Sequence, residues 1–230
     1  MKRFVPIVFL LYAAAAFLST IRTAMIMSGG YDFEHLVKPL LMPLLFLYFA
    51  ESSGFSFKDD SRLVFLALFF CWLGDSFLMY SEISEAYFLI GLVSFLIGHV
   101  FYILVYRRFV SADLKSRPPT VLMILLLAYF SWILLTIYPG LGSMFVPVLF
   151  YSIVILTMAV VASLRKGATT NSSYWLVLIG ALLFVISDSL IAYTKFSEPI
   201  KFFGPILIMG TYTLGQFLII QGLINHWNNK

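Results

Sequence analysis

Charge is scarce in this sequence. Only 11% of its 230 residues are Asp, Glu, Lys or Arg, whereas a water-facing domain usually carries about a quarter. A chain so poor in charge cannot cover a soluble surface, which excludes an ordinary globular domain. Cysteine is scarcer still. Cys71 stands alone inside an apolar run, so a disulfide framework is excluded and the redox compartment stays unread. Long polar stretches are missing too, which leaves no room for a linker or a second domain. No dinucleotide fingerprint and no phosphate-binding P-loop occur, so neither cofactor class is implied.

What remains is hydrocarbon. The chain is 61% hydrophobic with a mean hydropathy of +0.97. Crossing a hydrocarbon core takes roughly 20 apolar residues, and such runs recur along the whole length. The expected architecture is all-α, a single transmembrane domain over 1–230 with eight helices. They fall near 4–27, 33–51, 62–80, 86–106, 119–138, 143–164, 173–194 and 202–226. Turn and charge signals such as "SGGYDFEH", "YPGLGS" and "TKFSEPIK" separate them. The opening "MKRFVPIVFLLYAAAAFL" has features of a secretory signal. The internal repeat described next needs it as a helix, so it is read as an uncleaved first span.

A shift of 113 residues lays the first four helices on the last four. It aligns Asp75 with Asp188, Ser76 with Ser189, Tyr80 with Tyr193, Ser84 with Ser197 and Glu85 with Glu198. Four spans return the chain to its starting side, so the halves, 1–113 and 114–230, are expected as parallel repeats about an axis along the membrane normal. Basic residues sharpen the topology. With the N-terminus inside, the inner segments hold Lys2, Arg3, Lys58, Arg62, Arg107, Arg108, Lys115, Arg117, Arg165, Lys166 and Lys230, against Lys195 and Lys201 in the outer loops. The positive-inside bias places both termini in the cytoplasm. The net charge of +4 thus reflects topology and implies no nucleic-acid partner. Most tyrosines and tryptophans are expected as interface anchors.

Charges inside the bilayer cost at least about 2.5–3.5 kcal/mol, so they face a bundle interior or a wet cavity and have partners. Asp75 in "LGDSFLM" and Asp188 in "LLFVISDSLIAY" fall at matched depth in the outer part of the membrane, near the depth of Lys38 and Arg22. A structural reading pairs each acid with one of those two cations. A functional reading gives a polar cavity. Two close carboxylates do not both ionise easily, which leaves a protonated acid beside a carboxylate, as general acid–base chemistry needs. His99 lies deeper, and a lone histidine there serves packing as readily as chemistry. Ser76, Ser187 and Ser189 lack the nucleophile-elbow context and are read as orienting the carboxylates or bonding their own helices. Tyr102, one turn after His99, and Tyr151 stand out by position. Pro39 and Pro43 are expected to kink the second helix beside Lys38. Three histidines, with His35 and His226 at opposite ends of spans, offer no evident metal site. From the residues alone, a membrane-embedded hydrolase and a proton-coupled small-molecule transporter both fit. A receptor or scaffold fits less well, because few loops exist to meet a protein partner.

The ordered set "KPLLMPLL", "LGDSFLM", "GLVSFLIGHVFY" and "LLFVISDSLIAY" resembles the lysoplasmalogenase-like, or YhhN, family of membrane proteins. The resemblance covers nearly the whole chain, including the eight-span count. It implies hydrolysis of the vinyl-ether bond of lysoplasmalogens to a fatty aldehyde and glycerophosphoethanolamine or glycerophosphocholine, without a cofactor. Carried over residue by residue, it implies catalytic roles for Asp75, Asp188 and His99. Lys38, with Arg22, would receive the lipid phosphate, and Tyr102, Tyr151 and Ser187 would line the substrate site. The partner is then a lysophospholipid within the bilayer. The membrane would be the inner membrane of a bacterium, towards which the minimal loops lean, or the endoplasmic reticulum of an animal.

Overall fold

In hydrocarbon every backbone N–H and C=O must be satisfied within its own segment, so a long apolar run has one simple solution, the α-helix. The computed structural model describes residues 4–27, 37–57, 59–110, 119–198, 200 and 203–229, without the side chains of 22–27. Among these residues there are helices and turns but no strand. The helices are α1 (Val5–Met27), α2 (Leu41–Ser53), α3 (Ser61–Leu78), α4 (Glu85–Arg107), α5 (Thr120–Leu141), α6 (Phe145–Ser163), α7 (Asn171–Phe196) and α8 (Gly204–Trp227). Five helical stretches are long and apolar enough to cross a membrane: α3, α4, the run Thr120–Ser163 that holds both α5 and α6, α7 and α8. Val5–Ile21 of α1 is a shorter apolar helix among the described residues. The chain is an all-α integral membrane protein.

Local chemistry sets several boundaries. Ser84 accepts a hydrogen bond from the Ala86 amide at 3.2 Å and starts α4 with Glu85 in its first turn. Thr170 caps α7 by accepting from the Ser173 amide at 3.3 Å. The second helix is interrupted where its prolines lie. Residues 28–36 lie outside the described residues, Val37 is helical, a 3₁₀ turn covers Lys38–Leu40, and the α-helix runs on from Leu41. Pro39 lies in that turn and Pro43 in the first turn of α2; a proline has no N–H to donate, so the regular α-helical ladder breaks beside Lys38. Tyr12, Tyr102, Tyr106, Tyr151, Tyr174 and Tyr212 are buried in the core. A tyrosine sits there most readily when its hydroxyl finds an acceptor, as those of Tyr12, Tyr102, Tyr151 and Tyr212 do.

The most extensive packing joins α7 to α8 and α3 to α4. A Cβ on Gly180 would come within 2.7 Å of the Gly215 carbonyl oxygen, so α7 and α8 meet backbone to backbone where no side chain fits. Helix α4 reaches across to α6, α1 packs on α2 and α8, and α5 packs on α6 and α7. At the end of α6 the fully buried Arg165 donates to the Ser173 hydroxyl at 2.9 Å. Its guanidinium carbon lies 5.7 Å from the ring centroids of both Tyr106 and Phe109. Burial pulls this guanidinium down to about 10, so it remains a cation at neutral pH.

Candidate active site

Helices α3 and α7 carry the two acids, and each acid receives a tyrosine from another helix. Tyr212 on α8 donates its hydroxyl hydrogen to Asp75 Oδ2 at 2.7 Å, and Asp75 is 2% exposed. Tyr151 on α6 donates to Asp188 Oδ2. Asp188 is only half-buried. The two acids lie within electrostatic range of each other and share neighbours. The Phe95 and Phe184 rings both contact Tyr212, with centroids 6.0 and 5.3 Å away. Both rings also flank His99.

The half-buried acid opens onto a groove. It runs between α4, α5, α6 and α7, and its roughly 740 Å³ of empty space includes space open to the surroundings. Asp188, Tyr151, Ser152 and Ser189 are its polar groups. The remaining lining is apolar and aromatic, including Phe88, Phe95, Tyr129, Ile133, Leu156 and Phe196. Asp75 does not line it. An apolar trough with the Asp188 carboxyl and the Tyr151 phenol paired at its side can receive a hydrocarbon chain and deliver a proton to it.

The other expected site residues divide. His99 is fully buried, its ring 5.4 Å from Tyr151 and 4.7 Å from Phe184. Neither of its ring nitrogens has a hydrogen-bond partner among the described residues. Buried polar atoms usually find one, so this imidazole faces the acid-bearing region with bonding capacity to spare. Tyr102 donates to Gln216 Oε1 at 2.6 Å and belongs to the buried layer behind Asp75, away from the groove lining. Ser187 is fully buried and donates to the Ile208 carbonyl at 3.0 Å, so it ties α7 to α8 and does not reach the groove. Ser76 and Ser189 bond the carbonyls of Trp72 and Val185 in their own helices, as serines in apolar helices tend to. Lys38 begins the turn before α2 and lies outside the groove lining. The adjacent Pro39 carbonyl accepts from the Trp72 indole N–H at 2.9 Å, one turn before Asp75. The side chain of Arg22 and all of His35 lie outside the described residues. Among the described residues, no three of His, Cys, Asp and Glu converge as a metal ion would require.

Two residues of this region escape a reading of the sequence. Tyr212 and Gln216 stand one turn apart on α8 in "GTYTLGQ" and face Asp75 and Tyr102. Their spacing of four was the available signal. The helix they face is fixed only by packing.

These features define a class of protein, an α-helical integral membrane protein with a carboxyl group set into a lateral apolar groove. The YhhN family model matches residues 33–223, and the chain belongs to that family. It is similar to lysoplasmalogenase TMEM86A of Homo sapiens, 33% identical over 186 residues, covering 79% of this chain and 73% of that protein. The TMEM86A lysoplasmalogenase of Bos taurus is 30% identical over 186 residues, with 79% and 73% covered. Lysoplasmalogenase TMEM86B of Homo sapiens is 30% identical over 193 residues, with 81% and 74% covered. No solved structure matches the chain.

Proposed function

We propose that the protein is a membrane-embedded hydrolase of the vinyl-ether bond of lysoplasmalogens. The observation that carries this reading is Asp188, held by the Tyr151 hydroxyl at the side of an apolar groove; the names of its relatives support it. The alkenyl chain lies in the groove, and Asp188 in its protonated form gives its proton to the β-carbon of the vinyl ether. The double-bond electrons form the new C–H bond, and the ether oxygen shares the positive charge of the resulting oxocarbenium ion. Water then attacks the α-carbon and returns a proton to the carboxylate, giving a hemiacetal. The hemiacetal collapses to a fatty aldehyde and the glycerophospholipid alcohol. Asp75, buried and fixed by Tyr212, stabilises the cation across the intervening space, and His99 orients the water. Paired carboxyls around an oxocarbenium-like centre serve glycosidases in the same way. The apolar groove lining favours a lipid over the polar cargo of a proton-coupled transporter, the other reading that the acid pair allows.

The wider architecture in this reading is eight spans in two parallel halves with both termini cytoplasmic. The packing supports the repeat: α3 on α4 corresponds to α7 on α8, α2 on α3 to α6 on α7, α1 on α2 to α5 on α6, and α2 on α8 to α6 on α4. Release of long-chain aldehyde from a vinyl-ether lysolipid by detergent-purified protein tests the activity. Asp188→Asn is expected to reduce it at least about 100-fold, the scale of general acid catalysis. A folded Asp188→Asn protein with full activity would remove this mechanism.

A further inference from the structure

Lys195 stands seven residues beyond Asp188 on α7, two turns along the same face. Ile191 and Ala192, one turn before it, line the groove with Asp188, and so does Phe196. The Lys195 ammonium lies 5.7 Å from the ring centroid of Phe88, another lining residue. Its ion pair with Glu82 spans 3.6 Å, and the Glu82 side chain is 89% exposed against 29% for Lys195. Exposed pairs of this kind are weak and exchange readily. Lys195 is therefore a cation at the outer mouth of an apolar trough, held by a partner that an anion can displace.

We propose that Lys195 binds the phosphodiester of a single-chain phospholipid whose hydrocarbon tail runs inward past Asp188 towards Tyr129, Ile155 and Leu156. The dimensions agree. Seven residues of helix rise about 10 Å. Seven covalent bonds separate the β-carbon of an alkenyl lysolipid from its phosphorus, an extended reach of about 9 Å at the usual bond lengths of about 1.5 Å. One lipid can thus set its vinyl ether beside Asp188 and its phosphate beside Lys195. The assignment names the headgroup contact of the groove and, for its substrate, rests on the hydrolase reading. It moves the expected phosphate contact from Lys38, on the turn before α2, to Lys195, whose ammonium lies 5.7 Å from the ring centroid of the lining residue Phe88.

Binding separates this proposal from the chemistry. The full-length protein in detergent is titrated with a saturated alkyl-ether lysophospholipid, which vinyl-ether hydrolysis cannot cleave, and with the alkylglycerol that lacks the phosphate headgroup. The unaltered protein is expected to prefer the phosphorylated ligand about 10- to 100-fold, as a charge-assisted contact allows. Lys195→Ala and Lys195→Gln should bring the preference below about threefold, Lys195→Arg should restore it, and Lys166→Ala, in the loop before α7, should leave it intact. Equal affinity for the two ligands in the unaltered protein, or an undiminished preference in folded Lys195→Ala, overturns the proposal. A Lys195-dependent preference in a protein that releases no aldehyde from vinyl-ether lysolipids upholds the phosphate site and defeats the hydrolase reading.

Discussion

Asp75 and Asp188 occupy matching places in the sequence but different surroundings in the fold. Asp188 meets the groove, while Asp75 sits behind it with Tyr212, which donates at 2.7 Å. In the proposed mechanism that asymmetry gives them different work, proton donor and buried stabiliser, which the matching "LGDS" and "ISDS" stretches leave open. The Tyr212 hydrogen bond should matter because a bond to a charged acceptor inside a bundle is stronger than a neutral one. Tyr212→Phe is expected to lower kcat about tenfold with little change in KM, since Tyr212 touches Asp75 and not the groove. A KM effect alone in steady-state kinetics would place Tyr212 at the lipid instead. Asp75, Asp188, His99 and Tyr151 were legible as candidates because a polar side chain in a long apolar run is costly and stands out. Gln216 and Lys195 were not. The one is a polar residue whose facing helix no local pattern specifies; the other reads as an ordinary loop cation until Phe88 is seen beneath it.

At the scale of elements, the contact between α7 and α8 holds the site, because α7 carries Asp188 and α8 carries Tyr212. It depends on Gly180, Gly215 and Gly222. A methyl on Gly180 would meet the Gly215 carbonyl at 2.7 Å and Ile219 at 2.9 Å, whereas one on Gly210 would meet only Thr20 at 3.8 Å. Gly180→Ala should therefore force the helices apart, costing about 1–3 kcal/mol, and lower both the thermal unfolding midpoint and the activity. Gly210→Ala should leave both near their original values. A thermal melt in detergent that shows the two variants equal would refute the close approach. Helix existence was legible from hydrophobic runs and the breaks between them. The 3₁₀ turn before α2 was less so, because a proline marks a break in a helix without fixing its form, and here the Pro39 carbonyl is turned to accept from the Trp72 indole N–H.

For the whole molecule, the basic residues give an orientation that accessibility can check. In a Cys71→Ser background, a membrane-impermeant maleimide added outside sealed vesicles is expected to label Glu82→Cys and to spare Lys166→Cys until the vesicles are opened. The opposite pattern would invert the topology and put the groove mouth in the cytoplasm. The sequence by itself determined the solvent of this protein. Few charges and repeated apolar runs admit only a helical membrane protein, because hydrocarbon satisfies no backbone hydrogen bond. It also selected the two aspartates, because burying acids in lipid demands partners. The tertiary structure alone decided which acid lines the groove, which tyrosine holds each one and which cation stands over Phe88. Those relations join helices far apart in the chain. They are set by how side chains and bare glycine backbones pack, and no spacing within a single helix encodes that.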